Sequence, residues 1–286
     1  AFLVPNVFRR LFGEGALSAA FLPVYQRALA DDPRTASALA GGILGILAVV
    51  LGALVVLGEA LLFLISSLDG HQSPAIFLTM VTLPYIPLVC IVAIAGAMLH
   101  VHGRFGPTAS APLILNGCLI AAATSGWLMF DHETDEGRLR IVTVAAVSVV
   151  LAGILQVAWS WLALRKMSEV KLDLAAARGP LRKVFQTAGP MMLGLGVLQA
   201  NTLFDGLIAS WPLLVDQPSV FGLAYPLDKS AMPVLSFAQR LYQFPLGVFG
   251  IAVGTAIYPL LTQSAEDKTQ FTAMMQRGAR LILFIG

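Results

Sequence analysis

Charge is scarce in this sequence. Only 12% of its 286 residues are Asp, Glu, Lys or Arg, about half the share a soluble domain carries. The net charge of +2 is too small to point to a nucleic-acid partner. Cysteine is nearly absent: Cys90 and Cys118 both lie in apolar runs without CxxC spacing. That excludes a disulfide framework or thiolate metal site and leaves two small hydrophobes. The four histidines show no metal-ligand spacing. No Gly-rich phosphate loop and no nucleophile–base arrangement is visible, so the sequence offers no support for an enzyme. The chain opens at Ala1 with no basic n-region or cleavage site, unlike a signal peptide. It stops at Gly286, just inside an apolar run that includes Leu281 and Phe284. The expectation is an internal piece of a longer protein.

Apolar sequence is abundant instead. Hydrophobic residues make up 57% of the chain, and the mean hydropathy is +0.81. A spanning helix needs about 20 mainly apolar residues. Six stretches are long enough, at roughly 36–66, 75–101, 107–130, 141–164, 186–212 and 232–262, with partial ones at about 1–29 and from 271. The predicted fold class is therefore all-α: a polytopic transmembrane helical bundle.

The charges between these stretches alternate. Arg27, Arg34, Arg104, Arg165, Lys166, Lys171, Arg178, Arg182, Lys183, Lys268, Arg277 and Arg280 all fall in the odd-numbered connections. The even-numbered ones hold only Arg138, Arg140 and Lys229. The positive-inside rule assigns the odd connections to the cytoplasm. Trp127, Trp159, Trp161 and Trp211 lie near predicted span ends, as interfacial tryptophans do. Pro84, Pro87, Pro112, Pro190, Pro245 and Pro259 fall in or beside spans, a pattern of bent helices that line a cavity. Gly41/Gly45 and Gly250/Gly254 form GxxxG pairs, which suit close helix packing.

Few charges fall inside the spans, where each is costly and rarely faces lipid. Arg10 and Glu14 are four apart, so on one α-helix they share a face and can pair. Arg9 points about 100° away from them and reads as the freer cation, or else one that reaches an interface. Glu59 lies near the outer end of its span, where it can reach water. Asp205, with Gln199 and Asn201 close by, could ligate a cation, take up a proton or pair with an arginine. Arg240 lies about a third of the way into its span. Guanidiniums around an interior cavity suit a phosphate-bearing ligand, because Arg binds phosphate bidentately and stays charged.

Several of these residues form longer patterns. The stretch Pro5-Asn6-Val7-Phe8-Arg9-Arg10-Leu11-Phe12-Gly13-Glu14-Gly15-Ala16-Leu17-Ser18-Ala19-Ala20-Phe21-Leu22-Pro23 resembles the PN-x-x-RR-x-F-x-EGA-x-S-x-AF-x-P signature of the MurJ/MviN family. Pro84-Tyr85, Arg104-Phe105 and Ala111-Pro112 with Asn116 resemble its fourth and fifth helices. Gly189-Pro190 with Gln199 and Asp205 resembles its seventh, and Gln239-Arg240 through Gly250 its eighth.

The resemblance implies a member of the MOP exporter superfamily, two helical lobes that alternate between inward- and outward-open states. Residues 1–185 would be the rest of the N-terminal lobe, family helices 2–6. Residues 186–286 would start the C-terminal lobe with helices 7–9, the last truncated. The implied activity is transfer of lipid II, the undecaprenyl-pyrophosphate-linked peptidoglycan precursor, across the bacterial cytoplasmic (inner) membrane. The substrate site would comprise Arg9, Arg10, Glu14, Gln239 and Arg240, with the arginines on the pyrophosphate. Asp205 and Asn201 would form a cation site. No organic cofactor is implied, and sodium is the candidate coupling ion. Implied partners are lipid II, membrane lipids and cell-wall synthesis proteins. The chain departs from the family in lacking its first helix and all after the ninth. Gln239 stands where an Asp is common, and the 211–230 connection is longer. The rival readings are another MOP exporter, such as a polysaccharide-lipid flippase or drug/cation antiporter, and a non-transporting membrane scaffold.

Overall fold

The computed structural model describes residues 3–13, 16–69, 73–167, 169–214, 219–220, 223–228, 230–245 and 268–285. Apart from one short strand pair, its regular elements are helical. In order they are α1 (Leu3–Phe8), a π-helical turn (Arg9–Gly13), α2 (Ala16–Asp31), α3 (Pro33–Asp69), α4 (Pro74–Thr82), α5 (Tyr85–Val101), α6 (Gly106–Met129), α7 (Asp135–Leu164) and α8 (Leu174–Leu214). Then follow β1 (Ser219–Val220), β2 (Leu223–Ala224), α9 (Ala231–Pro245) and α10 (Lys268–Ile285). The strands pair antiparallel, Ser219 with Ala224 and Val220 with Leu223.

Among the described residues four segments are long and apolar enough to cross a membrane: Pro33–Leu68, Pro74–Val101, Gly106–Met129 and Asp135–Leu164. They coincide with the predicted stretches 36–66, 75–101, 107–130 and 141–164. The predicted 186–212 stretch falls in α8, bent by 45° between Leu174–Gly194 and Gln199–Pro212. Pro190 removes a helical N–H there, and Gly194 and Gly196 add little side-chain support to the helix, which are recognised causes of a kink. Beyond Pro245 the predicted 232–262 stretch lies outside the described residues.

The partial stretch at about 1–29 differs from expectation. It is not one α-helix but α1, a π turn and α2. A π turn spaces its hydrogen bonds i→i+5 instead of i→i+4; Glu14, the expected partner of Arg10, lies outside the described residues. Hydropathy cannot detect this change, because a π turn needs no change in polarity.

Local chemistry sets the helix starts. The Asp32 carboxylate accepts the Arg34 and Thr35 N–H groups at 3.0 and 3.1 Å and the Thr35 hydroxyl at 2.7 Å, capping α3. The Thr35 hydroxyl, then the Arg34 N–H, hold Asp32 below the usual carboxylate range. Asp173 caps α8 through the Ala175 and Ala176 N–H groups. Thr134 accepts from the Gly137 N–H at 3.1 Å and starts α7, with Asp135 and Glu136 in the first turn, where the helix dipole favours acids.

The chain divides into two compact units, residues 1–208 and 209–286. In the first, Leu17, Phe21 and Tyr25 of α2 pack with Leu39 and Ile43 of α3 and Ile86, Ile94 and Met98 of α5. Outward faces are equally apolar: Val49 is 72% exposed and Ile120 67%. Such a surface suits lipid rather than water. Between lipid-facing helices the cohesion comes from close packing and interhelical hydrogen bonds. Tyr25 Oη lies 3.3 Å from His102 Nε2 and ties α2 to the end of α5.

A polar cavity in the N-terminal unit

The π turn places Arg9 against open space. A cavity of about 450 Å³ lies among α1, the π turn, α2, α5, α6 and α7. Its wall carries Asn6, Arg9, Ser18, His100, Thr108, Asn116 and Gln156, set among apolar residues such as Leu22, Val89 and Leu115. Among the described residues that line it, Arg9 is the one charged side chain, histidine aside.

Each element of the wall has a local cause. Asn6 and Arg9 are one turn apart, and the Asn6 amide oxygen accepts from Arg9 Nε at 3.2 Å and Nη2 at 3.0 Å. Arg9 is therefore held rather than loose, contrary to its reading as the freer cation. The Ser18 hydroxyl donates to the Phe12 carbonyl at 3.2 Å, satisfying a main-chain acceptor at the irregular junction. On α6, Pro112 has no N–H to give the Thr108 carbonyl one turn earlier. The Thr108 hydroxyl is itself buried without a hydrogen-bond partner. Across from it, Gln156 of α7 is only 4% exposed, and its Nε2 donates to the Ala111 carbonyl at 2.7 Å. Gly153, one turn before Gln156, lets α7 approach α5: a Cβ there would lie 2.7 Å from the Tyr85 ring. A guanidinium at the wall of a mostly apolar chamber, beside neutral polar side chains, can contribute to holding an anionic group whose neighbours are uncharged but hydrogen-bonding.

The other predicted site residues lie elsewhere. Arg10 is half-buried and is not among the cavity residues. Glu14 lies outside the described residues. On α8, exposed Asn201 donates through Nδ2 to Oδ2 of half-buried Asp205 at 3.4 Å. The two give at most a partial oxygen shell for a hard cation. Among the described residues no three or more His, Cys, Asp and Glu side chains cluster to hold a metal. On α9, Arg240 is exposed and Gln239 half-buried. Sequence reasoning named neither Thr108 nor Gln156. The available signal for Gln156 was an amide in the middle of the apolar run Gly153-Ile154-Leu155-Gln156-Val157-Ala158, since polar groups at that depth are expensive.

Comparison with known sequences places this geometry. The family profile described as "Lipid II flippase MurJ" matches residues 1–286. A protein of Vibrio cholerae named "Probable lipid II flippase MurJ" is 30% identical over 303 residues, covering 99% of this chain and 53% of the relative. A Haemophilus influenzae protein of the same name is 30% identical, covering 99% and 56%. The "Lipid II flippase MurJ" of Burkholderia cenocepacia is 28% identical, covering 100% and 54%. The chain spans about half the length of these curated relatives. With the profile matched from end to end, the chain belongs to the lipid II flippase MurJ family.

Proposed function

We propose that this chain is part of a flippase that carries lipid II across the bacterial cytoplasmic membrane, exposing one cavity alternately to each side. Arg9 takes the pyrophosphate, and Arg240 contributes a second guanidinium. The observation that supports the reading is Arg9 itself: a guanidinium at the wall of a cavity that the described residues line mainly with apolar and neutral polar groups, in a chain of this family. A guanidinium keeps its charge and offers a planar fork of donors to phosphate oxygens. In a low-dielectric interior that attraction is far stronger than in water. Residues 1–185 and 186–286 are read as parts of two lobes that rock about the substrate. Asp205 and Asn201 would hold part of a sodium shell, and the ion would couple transport to its gradient. Lipid II is then the principal partner, with cell-wall synthesis proteins as further ones. The task is translocation rather than a chemical conversion.

Complementation tests the reading. Full-length protein carrying Arg9→Ala or Arg240→Ala should fail to support a flippase-depleted strain at normal expression. Lys at either position should restore growth only in part, because an ammonium keeps the charge and loses the fork. Full growth with Arg9→Ala would overturn the pyrophosphate assignment.

A further inference from the structure

The connection from α7 into α8 concentrates positive charge. Between residues 165 and 185 stand six bases, Arg165, Lys166, Lys171, Arg178, Arg182 and Lys183, and two acids, Glu169 and Asp173. Both acids are engaged. Glu169 pairs with Lys171 at 2.6 Å, and Asp173 accepts the Ala175 and Ala176 N–H groups. The other five bases are exposed and make no ion pair among the described residues.

Apolar side chains lie beside these charges. At about 100° per residue, Leu174, Phe185, Arg178 and Arg182 fall within about 80° of one another on α8. All four are exposed. The stripe next to them, Ala177, Leu181, Val184 and Ala188, is buried. It seats α8 on α3, where a Cβ on Gly42 would meet Leu181 at 3.0 Å and Ala177 at 3.3 Å. A cleft of about 320 Å³ at the end of α7 repeats the combination, lined by Trp161, Leu164, Arg165, Glu169, Val170 and Lys171. Trp161 lies one turn before Arg165 and accepts its N–H at 2.9 Å.

Both ends of the connection adjoin spans. The apolar segment of α7 ends at Leu164, directly before Arg165, and the predicted stretch of α8 starts at about 186, directly after Phe185. A base at such a place reaches lipid phosphates, while Leu, Phe and Trp beside it enter the boundary with the acyl chains. Juxtamembrane bases are attracted to anionic lipid. An acidic protein surface would answer the bases and leave Leu174 and Phe185 without an apolar partner.

We infer that this face of α8, with the cleft at the end of α7, is a docking surface for anionic phospholipids of the adjoining leaflet. Arg165, Arg178 and Arg182 take the phosphates, and Trp161, Leu174 and Phe185 lie at the acyl boundary. The bound lipid holds the connection that leads from α7 into α8. None of this depends on the role of Arg9.

Lipid retention by the full-length protein tests it. Protein in neutral detergent is mixed with phosphatidylglycerol or phosphatidylcholine, and bound lipid is counted by native mass spectrometry. The parent protein should retain phosphatidylglycerol in preference. Arg165→Gln, Arg178→Gln and Arg182→Gln should each lower that retention by about fivefold and leave phosphatidylcholine unchanged. Leu174→Ser with Phe185→Ser should lower it as well. Arg138→Gln with Arg140→Gln is the control, since those bases already pair with Asp135 and Glu136, and retention should not change. All the substituted side chains are exposed, so the fold is not the variable. Equal phosphatidylglycerol retention by the parent and the combined Arg165→Gln, Arg178→Gln, Arg182→Gln variant overturns the surface, as does an equal fall in the control. A fall in the arginine variants with none in Leu174→Ser, Phe185→Ser overturns the lipid assignment and points to an acidic protein partner.

Discussion

The amide oxygen of Asn6 receives two N–H groups of Arg9, from Nε at 3.2 Å and Nη2 at 3.0 Å. The contact holds the guanidinium at the cavity wall, and the amide, being neutral, adds no opposing charge of its own. A carboxylate at this position would hold the side chain equally well and leave much less attraction for phosphate.

That distinction gives the first prediction. Asn6→Ala should cost hydrogen bonds to a charged group, each about 1.5–3 kcal/mol, and weaken ligand binding by roughly tenfold or more. Asn6→Asp should weaken binding of a pyrophosphate lipid further while raising the melting temperature, since the new ion pair stabilises the resting protein. Titration with undecaprenyl pyrophosphate beside a thermal melt separates the two effects. Tighter binding in Asn6→Asp would contradict a phosphate role for Arg9.

Asp205 carries the second prediction. Among the described residues its one side-chain contact is the 3.4 Å approach of Asn201 Nδ2, so removing its charge strands no buried cation among them. Asp205→Asn should keep the fold and lose most of the attraction for a hard cation, which prefers anionic oxygen. Transport measured across a sodium series should become flat. A sodium response equal to the parent protein's would leave Asp205 a structural member of α8.

Much of the fold was legible because a membrane imposes length. Any segment crossing about 30 Å of hydrocarbon must be some 20 apolar residues long, and α3, α5, α6 and α7 announce themselves that way. The π turn at Arg9–Gly13 was not legible, because one extra residue per turn leaves composition untouched. For the candidate site the division is similar. Arg9 stands out as a charge in an apolar run. Gln156 and Thr108 do not, because an uncharged side chain in a span is as often a packing residue. What singles them out is geometry: the bond from Gln156 to the Ala111 carbonyl, and the unpartnered hydroxyl of Thr108.

Orientation is the third prediction. Connections around 27–35, 101–106, 165–183 and 263–280 should be cytoplasmic. Those around 67–74, 131–138 and 212–230 should be periplasmic. The two native thiols, Cys90 and Cys118, are first replaced by Ala. In that background Glu133→Cys should react with a membrane-impermeant thiol reagent in intact cells. Lys183→Cys should react only after lysis. Both native side chains are exposed, so access alone does not decide the result. Labelling of Lys183→Cys in intact cells would invert the topology and place the basic segment outside.

The last prediction concerns how the 169–173 segment is held to α3. The Lys171 N–H donates to the Ser37 carbonyl at 3.4 Å. One turn further along α3, the space where a Cβ of Gly41 would sit is taken by the Lys171 carbonyl. Only glycine lets the two backbones come so close. A second glycine of the same helix, Gly52, has nothing within 4 Å of the corresponding point, so the two positions form a matched pair. Gly41→Ala must push the segment off α3, breaking the bond to Ser37 and disturbing the Asp173 cap of α8 beyond it. Overpacking of this kind costs about 1–3 kcal/mol. Gly52→Ala removes a flexible residue from a helix interior and should be neutral or stabilising by up to about 1 kcal/mol. Melting in detergent, followed by intrinsic fluorescence, should therefore place Gly41→Ala several degrees below the parent and Gly52→Ala at or above it. The same substitution should make the segment more sensitive to protease near Lys171, because its anchor to α3 is gone. Equal melting temperatures for the two variants, with unchanged cleavage, would mean that the segment is not anchored through Gly41.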